Sequence, residues 1–364
     1  MVRIGIIGLG VHGRGVIANG FLSGRIEGAK LHAACDTNPA KLAWLKEKHP
    51  EVKTFDSPEA LLACTDVNAV VVATPHYDHP VLAIAALERD KHVLIEKPAG
   101  VYTKNVRELN ERAAKSDKIF AIMFNQRTNP MFQKMREMVQ GGELGNLKRF
   151  LLQITDWYRP QAYYDSGGWR ATWKGEGGGV LINQCPHNLD LWQWILGMPK
   201  RITAFVHEGK WHDIEVEDDV SAYAEYENGA TGIFVTSTGD APGTNRFEIL
   251  GDMGRLIFEN GKLLYTKLLV SEREHNKTTK EMFSAPKSET LLLECPGDYP
   301  QHEGVLRDFV RAVKGEGELV ARGEEGINGL MLSNAIHLSG WLGKTVELPV
   351  DEDLFLSELK KRWK

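Results

Sequence analysis

The chain lacks the features that would tie it to a membrane, a nucleic acid or an oxidising compartment. No run of about 18 apolar residues occurs, so no membrane-spanning helix is expected. Cysteine is scarce: Cys35, Cys64, Cys185 and Cys295 are scattered through 364 residues without CxxC spacing. That pattern argues for reduced thiols in a cytoplasmic protein rather than a disulfide or zinc framework. The opening MVRIGIIGLG has no basic flank, extended apolar region or small-residue cleavage site, and reads as a strand rather than a signal peptide. Neither sign of charge dominates: the formal net charge is -5 and acids and bases are interspersed, so no basic stripe for nucleic acid is present. The histidines show no HExxH or comparable spacing, and no metal is expected.

What is present divides into two halves with different periods. Up to about residue 124, nearly continuous apolar runs (RIGIIG, KLHAACD, AVVVAT, HVLIE, IFAIMF) alternate with helical segments such as NPAKLAWLKEKH. Strands covered on both faces read this way, which predicts an α/β domain with a doubly wound parallel sheet over residues 1–124. Beyond about residue 145 the pattern alternates around tight-turn signals at Asn228-Gly229, Gly251 to Gly254 and Asn260-Gly261. This predicts an α+β domain over residues 125–364 with a large, open, mainly antiparallel sheet, one face of it covered by helices near 303–314 and 325–342. The other face needs a cover or a second copy, so a homodimer or homotetramer is expected.

Gly8-Leu9-Gly10-Val11-His12-Gly13 follows the first buried strand and opens a helix, and the second strand ends in Asp36. A GxGxxG in that context lets the backbone approach a pyrophosphate at the positive end of a helix, while the acid bonds a ribose diol. A carboxylate there repels a 2′-phosphate, so NAD is favoured over NADP. Thr74-Pro75-His76 ends another parallel strand and is a candidate backbone contact to the cofactor. Glu96 and Lys97 end a further one, where the lysine is either a surface residue or a cation aimed into the crevice; Pro98 follows and is a candidate cis bond.

Taken together, GLGVHG, Asp36, the EKP at 96–98 and the later GGGVLINQCPHNLDLWQW resemble the glucose-fructose oxidoreductase and inositol dehydrogenase family, also called Gfo/Idh/MocA, in order along nearly the whole chain. The resemblance implies a Rossmann domain joined to an open-sheet domain, with sugar or polyol chemistry at their junction. Lys97 matches the family's active-site lysine and His187 the histidine of its aspartate-x-x-x-histidine motif. Asn183 occupies the aspartate position, a departure: an amide can orient a hydroxyl or a ring but carries no charge.

The chemistry fits these residue types. Oxidising a secondary alcohol needs a base for the hydroxyl proton and a cation beside the developing alkoxide, roles suited to His187 and Lys97. Asp190 either biases the His187 ring from one turn away or serves its own helix. Residues 157–173 gather Trp157, Tyr158, Tyr163, Tyr164, Trp169 and Trp173 with Arg159 and Arg170. They form either a platform for a sugar ring, with the arginines on hydroxyls, an acidic group or cofactor phosphate, or a buried subunit contact. Asn125, Gln126 and Arg127 face either the nicotinamide side of the cofactor or a domain boundary. The leading expectation is an NAD-dependent dehydrogenase acting on a sugar, glycoside or cyclic polyol. The alternatives are a glycosidase or lyase that oxidises its sugar transiently on NAD, and a nucleotide-binding regulator without catalysis.

Overall fold

A computed structural model describes residues 1–364, in two compact units. The first comprises residues 1–128, 175–177 and 299–330; the second comprises 129–174, 178–298 and 331–364. No helix is long and apolar enough to cross a membrane.

The first unit is built on six parallel strands, β1 (Val2–Ile7), β2 (Ala29–Cys35), β3 (Lys53–Phe55), β4 (Ala69–Val72), β5 (His92–Ile95) and β6 (Phe120–Ile122), in the order β3-β2-β1-β4-β5-β6. Strand order reverses between β1 and β4, and the loops leaving both strands open at that switch point. The first unit takes in residues 125–128, 175–177 and 299–330 beyond the expected boundary at residue 124. Helix Gln301–Val313, expected on the antiparallel sheet, buries Val305, Leu306, Phe309 and Val310 in the core with Ile4, Ile6 and Phe21 of the first unit. Its amphipathic pattern states that it has an apolar face but not which sheet that face covers.

The second unit holds nine strands, β7 (Leu147–Ile154), β8 (Arg201–Glu208), β9 (Glu217–Glu225), β10 (Thr231–Ser237), β11 (Asn245–Gly251), β12 (Gly254–Glu259), β13 (Lys262–Leu268), β14 (Ser288–Leu293) and β15 (Val346–Glu347), ordered β14-β13-β12-β11-β7-β10-β9-β8-β15. All pairs are antiparallel except β7 with β10. The expected turns at Asn228-Gly229, Gly251 to Gly254 and Asn260-Gly261 join β9 to β10, β11 to β12 and β12 to β13.

One face of this sheet carries a register row of buried residues, Phe234, Leu152, Phe247, Phe258 and Leu263. Helix Pro186–Leu196 packs on it through Trp192, whose ring lies 5.0 Å from Phe150 and 5.8 Å from Phe234 and whose indole N–H donates to the Tyr226 hydroxyl at 2.6 Å. Burial of one such indole is worth about 3–5 kcal/mol against alanine, which fixes the helix that carries His187. The opposite face presents a second register row, Tyr223, Ile233, Leu151, Glu248, Ile257, Leu264 and Leu292, in which Tyr223, Ile233, Leu264 and Leu292 are exposed.

Candidate active site

In the first unit the loops after β1, β2, β4 and β5 form a dinucleotide cradle. Gly8 has φ +97, and a Cβ there would lie 2.5 Å from the Ala73 carbonyl oxygen; one on Gly13 would lie 1.9 Å from that of Gly8. Only glycine permits this close turn. Gly10, between them, has open space where its Cβ would be, so backbone is bared to an approaching phosphate. Asp36 closes the cradle: its Oδ2 accepts the Leu9 N–H at 2.8 Å and its Oδ1 the Asn38 N–H at 2.8 Å. Val11 and His12 are exposed on the loop. Two buried polar atoms on the neighbouring loops, Thr74 Oγ1 and Glu96 Oε1, have no hydrogen-bond partner in the protein. A nucleotide's ribose hydroxyls and amide supply the donors and acceptors such atoms need, so the cradle fits a bound dinucleotide.

The EKP loop is held to the Thr74 loop by His79. The ring of His79 is buried, with Nδ1 2.7 Å from the Pro98 carbonyl and Nε2 2.8 Å from that of Thr74. Burial pushes its pKa down, against the pull of both carbonyls. The Lys97-Pro98 peptide is cis, and Lys97 is half-buried. His76 Nδ1 lies 3.0 Å from the Glu176 carbonyl, within the same unit. Asn125 reaches His302 at 3.2 Å, and Gln126 is half-buried beside it.

In the second unit His187 stands in the first turn of helix Pro186–Leu196 and is 7% exposed. It lies five residues, about 140° around the helix, from Trp192, so the face bound to the sheet is not the one that carries it. Asn183 is half-buried in the turns before the helix, its N–H donating to the Gly179 carbonyl at 3.0 Å. Asp190 is fully buried and accepts from Gln193 Nε2 at 2.8 Å. The aromatic segment meets this part of the chain at Tyr163, whose hydroxyl accepts from Arg170 at 2.6 Å and from Gln184 at 3.3 Å. Arg170 lies over the Tyr163 and Trp169 rings at 4.4 and 4.8 Å, and Arg159 over Tyr163 at 5.2 Å.

Residues 2–124 match the oxidoreductase family with an NAD-binding Rossmann fold, and residues 132–257 match the GFO/IDH/MocA C-terminal domain. The chain belongs to the Gfo/Idh/MocA family. It is an NAD-dependent oxidoreductase. Among its relatives, the myo-inositol 2-dehydrogenase of Thermotoga maritima is 28% identical over 92% of this chain and 95% of its own. The D-glucoside 3-dehydrogenase of Escherichia coli is 27% identical over 95% and 97%. A solved structure of the WlbA dehydrogenase from Chromobacterium violaceum, in complex with NADH and UDP-GlcNAcA, superposes with a TM-score of 0.82 at 26% identity, covering 96% of each chain.

Within this Gfo/Idh/MocA chain the aromatic segment splits. Tyr158 and Trp169 are 49% and 37% exposed, whereas Trp173 is 1% exposed and packs edge-on against His337 and Trp341, both at 5.3 Å. Trp173 is therefore a core ring and not part of a sugar platform, because burial leaves it no accessible surface. Arg127 is likewise buried in its own unit, paired with Glu325.

Sequence reading missed His302, in the first turn of Gln301–Val313. His12, Glu96 and His302 bring one ligand atom each within 4.8 Å of one another, a donor set able to take a divalent cation that linear spacing does not reveal. Burial is the largest cause pushing the His302 pKa down; Glu96 opposes it. A histidine at the start of an amphipathic helix reads as surface, and no signal in the sequence marks it. His79 was equally hidden, since its helix pattern reports only an apolar face.

Proposed function

We propose that the enzyme oxidises a secondary hydroxyl of a sugar, glycoside or cyclic polyol to the ketone, or runs the reverse reaction. NAD supplies the hydride acceptor when bound. His187 takes the hydroxyl proton and passes it on to solvent, so that the alcohol loses one proton and one hydride in all. Lys97 stabilises alkoxide charge at the same oxygen as it develops, and Asn183 orients the hydroxyl or the imidazole without adding charge. Tyr158 and Trp169 offer ring faces for the apolar side of a sugar, and Arg159 and Arg170 bring donors for its oxygens. Arg170 and Gln126 are also proposed to contact the cofactor. The observation that carries this reading is a buried histidine in the first turn of a helix braced on the sheet by Trp192, in a chain whose relatives include inositol and glucoside dehydrogenases.

The exposed register row through Tyr223, Ile233, Leu264 and Leu292 supports self-association, and we propose that a second copy of the chain covers it in a dimer or tetramer.

The test is a screen of purified protein with NAD⁺ against myo-inositol, alkyl glucosides and levoglucosan, following nicotinamide absorbance and products together. The proposal expects NADH to accumulate mole for mole with a ketone. Release of an aglycone without net NADH would instead assign transient oxidation and glycoside cleavage.

A further inference from the structure

Two consecutive acids at the start of β9, Glu217 and Asp218, are each fully buried. Strand alternation sends neighbouring side chains to opposite faces, and these two carboxylates reach different segments. Glu217 Oε1 accepts the backbone N–H groups of Gly179 and Leu181 at 2.9 Å each, Oε2 lies 2.9 Å from the Gly179 nitrogen, and the Glu217 carbonyl accepts the Val180 N–H at 3.0 Å. His337 Nε2 lies 3.1 Å from Oε2. A Cβ at position 179 would stand 2.0 Å from the Glu217 carbonyl oxygen, so the approach requires glycine. From this grip the chain runs to His187 through turns alone: Asn183 N–H donates to the Gly179 carbonyl at 3.0 Å and Cys185 N–H to that of Val180 at 2.8 Å, and the helix begins at Pro186.

Asp218 holds the aromatic segment. Its carboxylate accepts the N–H groups of Lys210, Trp211 and His212 at 2.9, 2.8 and 3.0 Å, and meets His212 Nδ1 at 2.9 Å. The other ring nitrogen of His212 lies 2.7 Å from the Arg159 carbonyl. Asp218 also accepts the Thr238 N–H through its own carbonyl at 3.0 Å, and Thr238 in turn accepts the Arg159 N–H at 3.0 Å and meets the Tyr164 hydroxyl at 2.7 Å.

We infer that Glu217 and Asp218 are positioning residues that set two walls of the site from one strand: Glu217 fixes the segment carrying Asn183 and His187, and Asp218 fixes the segment carrying Arg159 and Tyr163. Neither wall has a sheet ladder of its own to hold it, so the two buried acids replace one. Buried carboxylates cost several kcal/mol to desolvate, and here clustered backbone N–H groups offset that cost. A misplacement of about 1 Å at a reacting group lowers rate about 10²-fold, whereas a shift in the aromatic wall acts on substrate binding. This inference rests on the proposed roles of His187 and the aromatic segment.

The test compares Glu217→Gln and Asp218→Asn with the parent enzyme, using the most active substrate of the screen. Glu217→Gln is expected to lower kcat about tenfold or more with KM and NAD⁺ affinity within about twofold. Asp218→Asn is expected to raise KM about tenfold with kcat within about threefold. Amide exchange at Gly179 and Leu181 should accelerate in Glu217→Gln and not in Asp218→Asn. Rates are expressed per NAD⁺-binding site, because a loss of folded fraction lowers apparent kcat without moving KM. A Glu217→Gln loss of kcat that vanishes on this normalisation would overturn the inference, as would equal changes of kcat and KM in both variants or parent-like kinetics in either. Should Glu217→Gln fail to fold, Glu217→Asp keeps the charge, withdraws the carboxylate by one methylene, and must show the same kcat-only loss. His187→Ala, run alongside, separates the two readings: full turnover there removes the assigned role of His187, whereas its loss with unaffected Glu217→Gln removes only the positioning role.

Discussion

Lys41 Nζ sits 3.0 Å from Asp36 Oδ2, in the first turn of helix Pro39–Lys48 that follows β2. The carboxylate proposed to meet the ribose diol thus also restrains an ammonium. NAD⁺ should bind much more tightly than NADP⁺, because Asp36 repels a 2′-phosphate. Asp36→Ala should narrow the preference by removing that charge and releasing Lys41 toward the phosphate. Adding Lys41→Ala should take back the NADP⁺ gain. Binding titrations of the three proteins with both nucleotides decide this, and equal affinity of the parent for both would contradict it.

His187→Ala should lower turnover roughly 10²- to 10⁴-fold with NAD⁺ affinity nearly intact. Lys97→Ala should also lower kcat. If a correctly folded His187→Ala enzyme keeps near-normal turnover, the proton is handled elsewhere, and Tyr158 and Tyr163 become the residues to substitute next.

Asn183→Asp should raise the pKa of His187 by adding a negative charge four residues upstream. A base must be neutral to act, so the acid limb of the alcohol-oxidation profile should move to higher pH. A pH–rate profile unchanged between the two proteins would separate Asn183 from the proton path.

His92 accepts the Ile119 N–H at Nδ1, at 2.9 Å, a bond that requires the ring nitrogen to be unprotonated. Burial first, and Lys118 second, push its pKa down. The folded value therefore lies below the unfolded one of about 6.5. As pH falls through that unfolded value, the unfolded chain gains a proton that the folded chain does not, and stability declines until the folded value is passed. Urea unfolding at pH 7.5 and 5.5 should show a smaller loss for His92→Gln than for the parent. Identical losses would rule out His92 as a contributor.

Sedimentation at micromolar concentration should give a dimer or tetramer. Ile233→Arg combined with Tyr223→Lys should lower the mass without changing the circular dichroism. A monomeric parent would leave the exposed row of the sheet without its proposed partner.

The sequence by itself determined what local backbone chemistry dictates. Buried parallel strands read as unbroken apolar runs, Asn228-Gly229 and Asn260-Gly261 demanded tight turns, and GLGVHG with Asp36 specified a nucleotide cradle because only glycine fits at Gly8 and Gly13. Tertiary structure decided everything that depends on which surfaces meet. The apolar face of Gln301–Val313 went to the first unit's core and brought His302 toward Glu96; Trp173 went inside against His337 and Trp341. Glu217 and Asp218 read only as acids opening a strand. Yet Glu217 meets Gly179 and Leu181 from far along the chain, and Asp218, whose carboxylate partners at 210–212 are local, reaches Arg159 only through His212 and Thr238. A periodic pattern records that a residue has a buried side, but the identity of its neighbour is set by long-range packing that no local spacing encodes.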